Sequence, residues 1–396
     1  MSKKPKILYL SYDGLTDPLG QSQILAYLSR INREHNISIT IISFDKPDIF
    51  EKNEKRVREI LSTTTIQWHP LTYHKSPPVL STVGDLRRGW KKIKDLYKKE
   101  HFDIVHCRGY ISALLGQKAK KKFGSKFIFD MRGWWPDEKL ESGLWGNPVF
   151  RPVYKYFKEK EMQFFTESDI TVSLTYAGKK EITEIFRQSE SKVGVIPTCV
   201  DFDVFKPFSE NIRREARNKL GIPENAFVVI YSGSIGANYP PKDILKIYQS
   251  VKCNQEKHLL ILSREPESLI KDAAEELGIK EKIHFASANY SDVHKFLQAS
   301  DLGIILYKMA FSTIGRSPTK LGEYWACGIP AIALKDIGDL NFIHEKFNGE
   351  GLVLTDSNFK ETLAPQVNKN LLRKNAQTYF DINSGVVFYK NLYLSL

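Results

Sequence analysis

Residues 194–207 read GVIPTCVDFDVFKP. The stretch has little helical or strand periodicity, and Pro197 and Pro207 bracket it. Its reading decides the fold, because the text on either side repeats one pattern. Before it, KILYLSY (6–12), ISITIISF (37–44), FDIVHC (102–107), SKFIFDM (125–131) and DITVSL (169–174) are short β-rich runs with helical stretches between them. After it come AFVVIYSGS (226–234), HLLILS (258–263), KIHFAS (282–287), LGIILY (302–307), AIAL (331–334) and GLVL (351–354). Short apolar strands alternating with helices predict a parallel sheet covered on both faces. The chain therefore reads as two doubly wound α/β units joined near 200–207. The expected division is 1–200, 201–375 and a C-terminal helix, 376–396, that packs back on the first unit.

The length of 396 residues agrees with two domains, and 42% hydrophobic with 26% charged residues is a globular composition. No run approaches the ~18–20 apolar residues of a membrane span. The N-terminal MSKKPKILYLSY reads as a first strand, because its apolar run is short and Asp13 follows at once. Four scattered cysteines give neither metal-ligand spacing nor a disulfide framework, which points to a reducing, cytoplasmic setting. The net charge is +12, and residues 1–200 carry 34 Lys and Arg against 23 Asp and Glu. The first unit is thus basic and the second nearly neutral. Such asymmetry either faces something anionic or is a plain excess of surface lysine.

In parallel α/β sheets ligands bind beyond the carboxyl ends of the strands. With two such units, the expected site is the cleft between them. After the first strand, Gly20 and Gln21-Ser22-Gln23 precede a helix and offer backbone N–H groups to an anion or a sugar; an ordinary loop with Ser22 as N-cap is the alternative. Arg108 follows FDIVHC. Asp130, Arg132, Asp137 and Glu138 follow the next strand, interleaved with Trp134 and Trp135. Carboxylates and Arg bind hydroxyls, and an indole covers the apolar face of a sugar ring. The plain alternative is a surface loop with buried aromatics.

In the second unit YSGSIGANYPPKD frees the backbone at Gly233, Ser234 and Gly236, and Lys242 can reach a phosphate. Arg264 stands just past ILS, where its planar fork suits a diphosphate; a surface pair with Glu265 or Glu267 is the alternative. RSPTKLGEYWACGIP (316–330) reads as a helix with Ser317 as N-cap and Pro318 at the first position. Arg316 and Lys320 at its start oppose the helix dipole, a conflict that an anion would remove. Glu323 lies a turn on, placed to accept from a vicinal diol.

GQSQ, GVIPTCVDFDVFKP, YSGSIG and PTKLGEYWACGIPAIA, in that order across nearly the whole chain, resemble the retaining glycosyltransferases of family 4. The resemblance implies the GT-B fold, two Rossmann-like domains facing each other across a cleft. It implies transfer of a sugar from a nucleotide-diphospho-sugar, UDP- or GDP-linked first, with retention and with no metal or other cofactor. The acceptor would be a glycan or lipid-linked, in bacterial surface polysaccharide or lipopolysaccharide synthesis. By resemblance Glu323 holds the ribose hydroxyls, Thr319, Lys320 and Leu321 lie along the phosphates and sugar, and Gly20 with Gln21 approaches the diphosphate.

The chain departs from that pattern in three places. Gly315 stands where the first Glu of the Glu-x7-Glu pair belongs, Ser234 where an Arg follows the glycine, and His106-Cys107-Arg108 where His-x-His is frequent. Ser234 then remains a backbone contact, and Lys242, Arg264, Arg316 and Lys320 are expected to supply the cations. Arg108, Asp130, Arg132 and Glu138 are expected to be the catalytic residues. The basic, aromatic-bearing stretch 86–100 is expected to lie on an anionic bilayer, which would make the protein peripheral at the inner face of the plasma membrane; a solvated helix face is the alternative. No nucleic-acid partner is expected. Two other readings share the scaffold: a nucleotide-sugar epimerase, and a non-catalytic basic membrane-binding protein.

Overall fold

The structure is a computed structural model that describes residues 4–396. The chain forms two compact units. One runs to Pro197 and takes in Ile382–Leu396; the other is Thr198–Asp381.

The first unit holds seven strands: β1 (Lys6–Ser11), β2 (Ser38–Asp45), β3 (Gln67–Thr72), β4 (Ile104–Arg108), β5 (Lys126–Asp130), β6 (Ile170–Ser173) and β7 (Val193–Val195). They pair in parallel in the order β3-β2-β1-β4-β5-β6-β7. The inner strands are buried on both faces, which explains their unbroken apolar text. β3 and β7 escaped the sequence reading. β3 (QWHPLT) is half-buried and carries Pro70, which an edge strand tolerates because one side of its backbone needs no partner.

The second unit holds β8 (Phe227–Ser232), β9 (Val251–Lys252), β10 (Lys257–Leu262), β11 (Ile283–Ala286), β12 (Leu302–Ile305), β13 (Ala331–Leu334), β14 (Leu352–Thr355) and β15 (Thr362–Leu363). Six form the parallel order β11-β10-β8-β12-β13-β14, and β9 pairs with β15 alone. Val228, Ile230, Leu260, Ile304, Leu321 and Trp325 are among the fully buried side chains of its core. Each contributes about 1.5–3 kcal/mol of burial.

In each sheet the strand order reverses beside its first strand, between β1 and β4 and between β8 and β12. These are the topological switch points, where chain leaves neighbouring strands in opposite directions and opens a crevice.

Three local expectations are corrected. The helix after β1 begins at Pro18, so Gly20 is inside it rather than in a loop before it. A Cβ at Gly20 would fall inside the Gly14 carbonyl oxygen, which is why the position is glycine. Residues Gln21–Leu25 then form a π-helical turn before the α-helix Ala26–His35, and Ser22 bonds back to the Pro18 carbonyl instead of capping. The end of the chain is two helices, Lys369–Phe380 in the second unit and Ile382–Ser395 in the first, separated by extended Asp381. The last helix packs on Ala26–His35, with Tyr389 edge-on to Tyr27 and the Phe388 ring against Gly194.

Candidate active site

At the switch point of the first unit, Arg108 ends β4 in register with Asp130, which ends β5. Arg132 follows in a left-handed conformation (φ 57°). Arg108 Nη2 and Arg132 Nη2 both donate to Gln23 Oε1, at 2.8 and 2.6 Å. Gln23 sits in the π turn; the sequence names it only within Gln21-Ser22-Gln23 and points to Gln21 for a ligand role. Gln21 instead donates to the Thr16 carbonyl at 2.9 Å and braces the loop after β1.

Asp130 is 1% exposed. Burial works against its charge, but Arg132, His106 and Arg108 together hold its carboxyl below the ordinary value. Its Oδ2 accepts from Tyr389 of the last helix at 3.2 Å. His106 Nδ1 meets the Tyr393 hydroxyl at 2.7 Å, and Nε2 stands 3.5 Å from Asp130. Burial holds the imidazole below its ordinary value, so it is neutral near pH 7. Two tyrosines from the chain's end thus fix the acid and the imidazole at the ends of β4 and β5. No local pattern shows that in the sequence, because the partners are 259 and 287 residues apart.

The loop after Arg132 differs from expectation. Trp134 is fully buried, stacked on Phe186, and offers no face to a sugar. Trp135 packs edge-on to Trp145 and Phe157. Asp137 accepts from Tyr154 at 3.0 Å and Lys158 at 2.9 Å, and Lys158 also bonds Glu161. That network is structural. Glu138 is half-buried in the helix Trp135–Glu141, one helical position past Asp137.

In the second unit the helix Thr319–Ala326 leaves the β12 side of the switch point. Its Tyr324 hydroxyl accepts the Ser232 amide (3.2 Å) and donates to the Ile304 carbonyl (3.3 Å), tying it to the ends of β8 and β12. Trp325 Nε1 donates to the Gly351 carbonyl. Leu321, Tyr324 and Trp325 face the core. Helical spacing then puts Lys320 and Glu323 together on the opposite face.

The expected cap is corrected. Pro318 is the N-cap residue, and Ser317 Oγ instead accepts the Thr198 amide at 2.9 Å. The chain's crossover is therefore bonded to the start of this helix. It also passes over Gly322, where a Cβ would lie 2.7 Å from Val200 Cγ2. Arg373 donates to the carbonyls of Phe205 and Ala326 and holds the same loop from the other side. Leu321 is corrected too: its side chain is core and its amide donates to Pro318, so it presents nothing to a ligand. The outward amides of the first turn belong to Thr319 and Lys320.

Lys320 lies directly over Gly233, where a Cβ would be 2.6 Å from Nζ. Its ammonium is 5.9 and 5.6 Å from the Tyr231 and Tyr239 rings. Arg316 stacks on Tyr307 at 4.8 Å, and Tyr307 meets Tyr239 at 5.2 Å. Among the described residues, neither the Lys320 ammonium nor the Glu323 carboxylate is hydrogen-bonded to protein. Burial pushes the Glu323 carboxyl above its ordinary value, and the attraction of Lys320 opposes this. Burial lowers Lys320, Glu323 works against that, and Arg316 adds to it. Ser234 offers backbone at the β8 exit, its carbonyl taken by the Tyr231 hydroxyl.

Two expected cations are not part of this group. Arg264 is exposed and donates to Ala288 and Asn289 at 3.2 and 3.4 Å, bracing the exits of β10 and β11 instead of pairing with Glu265 or Glu267. Lys242 is exposed in the first turn of the helix Pro241–Ser250. Among the described residues no group of three His, Cys, Asp or Glu is arranged to hold a metal ion.

A family profile described as glycosyltransferase family 4 matches residues 20–204, and one described as glycosyl transferases group 1 matches 212–384. The D-inositol 3-phosphate glycosyltransferase of Thermomonospora curvata is 23% identical over 252 residues, 59% of this chain and 56% of that protein. The chain thus spans little more than half the length of that relative. The putative glycosyltransferase EpsD of Bacillus subtilis is 24% identical over 276 residues, 68% of each chain. Among solved structures, sucrose-phosphate synthase of Thermosynechococcus elongatus superposes with a TM-score of 0.69 at 13% identity, over 98% of both chains. Anabaena HepE in complex with UDP and glucose does so at 0.69 and 14%, over 99% of this chain and 100% of that one. The structural likeness carries the fold and the two profiles carry the kinship: the chain belongs to the family 4, group 1 glycosyltransferases of the GT-B fold.

Proposed function

We propose that the protein moves a sugar from a nucleotide-diphospho-sugar to a hydroxyl of a glycan or lipid-linked acceptor, with retention. One observation carries this reading. Lys320 and Glu323 share one face at a switch point, half-buried, and neither is hydrogen-bonded within the described protein. An ammonium beside a glycine and outward amides suits a diphosphate, and a carboxylate one turn on suits ribose hydroxyls. Anabaena HepE, similar in fold, is described in complexes with UDP and with UDP-glucose. That supports UDP as the first base to test, with GDP second.

In the reaction the acceptor oxygen bonds to the anomeric carbon as the carbon–oxygen bond to the diphosphate breaks. The acceptor proton passes to the departing phosphate on the same face. Lys320, Arg316 and the amides of Thr319 and Lys320 stabilise the charge that grows on the leaving group. Arg108, Asp130, Arg132 and Glu138 act in the first unit, where the acceptor is received.

The helix Leu80–Tyr97 supports a place at a membrane surface. Leu80, Val83, Arg87, Lys91 and Lys94 are all exposed and recur on one face. An apolar tip leading into a basic stripe suits an anionic bilayer. Among the described residues no helix is long and apolar enough to cross a membrane. The reading places the protein in the cytoplasm, at the inner face of the plasma membrane, in surface glycan synthesis.

A panel of UDP-, GDP- and ADP-sugars, read by thermal shift and by slow donor hydrolysis, tests the proposal. One nucleotide sugar should stabilise the protein and Glu323→Ala should abolish the shift. No stabilisation by any of them would sink it, and release of an epimerised sugar would replace it.

A further inference from the structure

Two guanidinium groups converge on one neutral oxygen in the first unit. Arg108 at the end of β4 and Arg132 in the loop after β5 reach Gln23 Oε1, at 2.8 and 2.6 Å. Each guanidinium carries five donors in a rigid fork that matches paired anionic oxygens. One amide oxygen satisfies neither fork. Arg108 is only 5% exposed; burial works against its charge, and Tyr9, Asp13 and Asp130 around it outweigh that penalty from outside the point of convergence.

The acids nearby pair with the arginines only at long range, Asp13 accepting from Arg108 Nε. Asp130 Oδ1 is 3.8 Å from Arg132, and Asp13 Oδ2 is 3.4 Å from Arg108 Nε. Charge-assisted pairs close to about 2.7–2.9 Å. Asp13 is exposed and can move aside. Asp130 is held back by Tyr389. The point where the two cations meet is thus occupied by an amide oxygen, with both carboxylates outside it.

Two backbone irregularities produce the convergence. The π turn Gln21–Leu25 turns Gln23 toward the strand ends, and π turns gather at functional sites. Arg132 holds a left-handed φ that a non-glycine residue adopts at a cost of about 1–2 kcal/mol. Both irregularities serve one contact.

We propose that this contact is the seat of an anionic group on the acceptor, a phosphate or diphosphate whose oxygen takes the position of Gln23 Oε1. The proposal rests on the reading of the chain as a transferase whose first unit receives the acceptor. The anion belongs either to a phosphorylated sugar or to a lipid diphosphate, and the arms of the test separate them.

The full chain is titrated calorimetrically with glucose 1-phosphate against methyl glucoside, and with farnesyl diphosphate against farnesol in detergent. UDP-glucose is titrated in parallel, and Lys320→Ala is carried throughout to mark any binding at the second unit. The phosphorylated member of at least one pair should bind ten-fold or more tighter than its neutral partner, also in Lys320→Ala. The pair that shows the preference identifies the source. Arg132→Gln and Gln23→Glu should each erase the preference, and Gln23→Glu should leave UDP-glucose affinity unchanged. Gln23→Glu should also raise the melting temperature, because a built-in carboxylate fills the seat. Should Arg132→Gln fail to fold, Gln23→Glu decides alone. No preference in either pair, or a preference that survives Gln23→Glu, overturns the proposal. A preference that behaves as expected in a chain that binds no nucleotide sugar keeps the anion seat and removes the transferase reading instead.

Discussion

The Lys320 ammonium rests on Gly233, so close that a Cβ there would lie 2.6 Å from Nζ. Gly233 has φ 132°, a conformation open to glycine and few others. Two requirements meet at one residue: the backbone must turn away from β8, and the cation must lie flat on it. Gly233→Ala should therefore displace Lys320 and strain the turn together. Donor affinity should fall ten-fold or more, with a stability loss of about 1–3 kcal/mol. Lys320→Ala should reproduce the affinity loss without the stability loss. Nucleotide-sugar titration and urea unfolding on both variants check this.

On the proposed reading Glu323 should give donor binding a pH dependence. Its carboxyl is raised by burial, so it takes up a proton at a pH where an ordinary carboxylate is still charged. The charged form is the better acceptor for ribose hydroxyls. Donor affinity should fall as pH is lowered through that raised value and level off below it. Glu323→Gln should be weak and flat over the same range. A wild-type profile without slope removes Glu323 from the ribose.

Acid should loosen the first unit. The folded imidazole of His106 titrates below its ordinary value, so the unfolded chain binds the extra proton first. Stability from this group is complete above about pH 6.5 and is lost as pH falls below it. Asp130 has a lowered carboxyl, so its contribution is present above the unfolded value and disappears as pH falls through the folded one. Both act in the same direction. Glu161 opposes them: burial raises its carboxyl to about 6, which removes stability as pH rises from its ordinary value to that point. Thermal unfolding from pH 7.5 to 5 should show a falling midpoint, and His106→Gln should flatten the decline.

The last helix should prove necessary to the first unit. Tyr389→Phe leaves buried Asp130 without its 3.2 Å donor, a loss of about 1–3 kcal/mol. Tyr393→Phe should cost similarly through His106. Ending the chain at Asp381 removes both and uncovers the apolar face that packs on Ala26–His35. That shortened chain should lose the cooperative unfolding of the first unit in calorimetry while the second unit still melts.

Much of this was readable in the residues because strands buried on both faces must be apolar throughout. β8 and β12 declare themselves for that reason. The edges do not: β3 pairs on one side only, keeps a proline and reads as loop. The second unit's site was largely legible, since Lys320 and Glu323 lie within one turn and their relation is local. Leu321 was misjudged because its side chain turns with the helix into the core. The first unit's site was half legible. Arg108, Asp130 and Arg132 mark strand ends, whereas Gln23 needed a π turn that no residue pattern announces. Tyr389 and Tyr393 needed a chain end returning from the far side of the sequence.

That π turn makes the stretch sensitive to a single residue's length. A helix with a π turn is an ordinary helix that has absorbed one surplus residue. Every position before the surplus is rotated about one residue's step against those after it. Gln23 stands where the rotated segment meets the arginines. Losing any one residue of QSQIL would mend the helix and dismiss Gln23 from its place. A shorter, more regular version of this stretch is thus one codon away, and it would lose the contact of Gln23 with the two arginines.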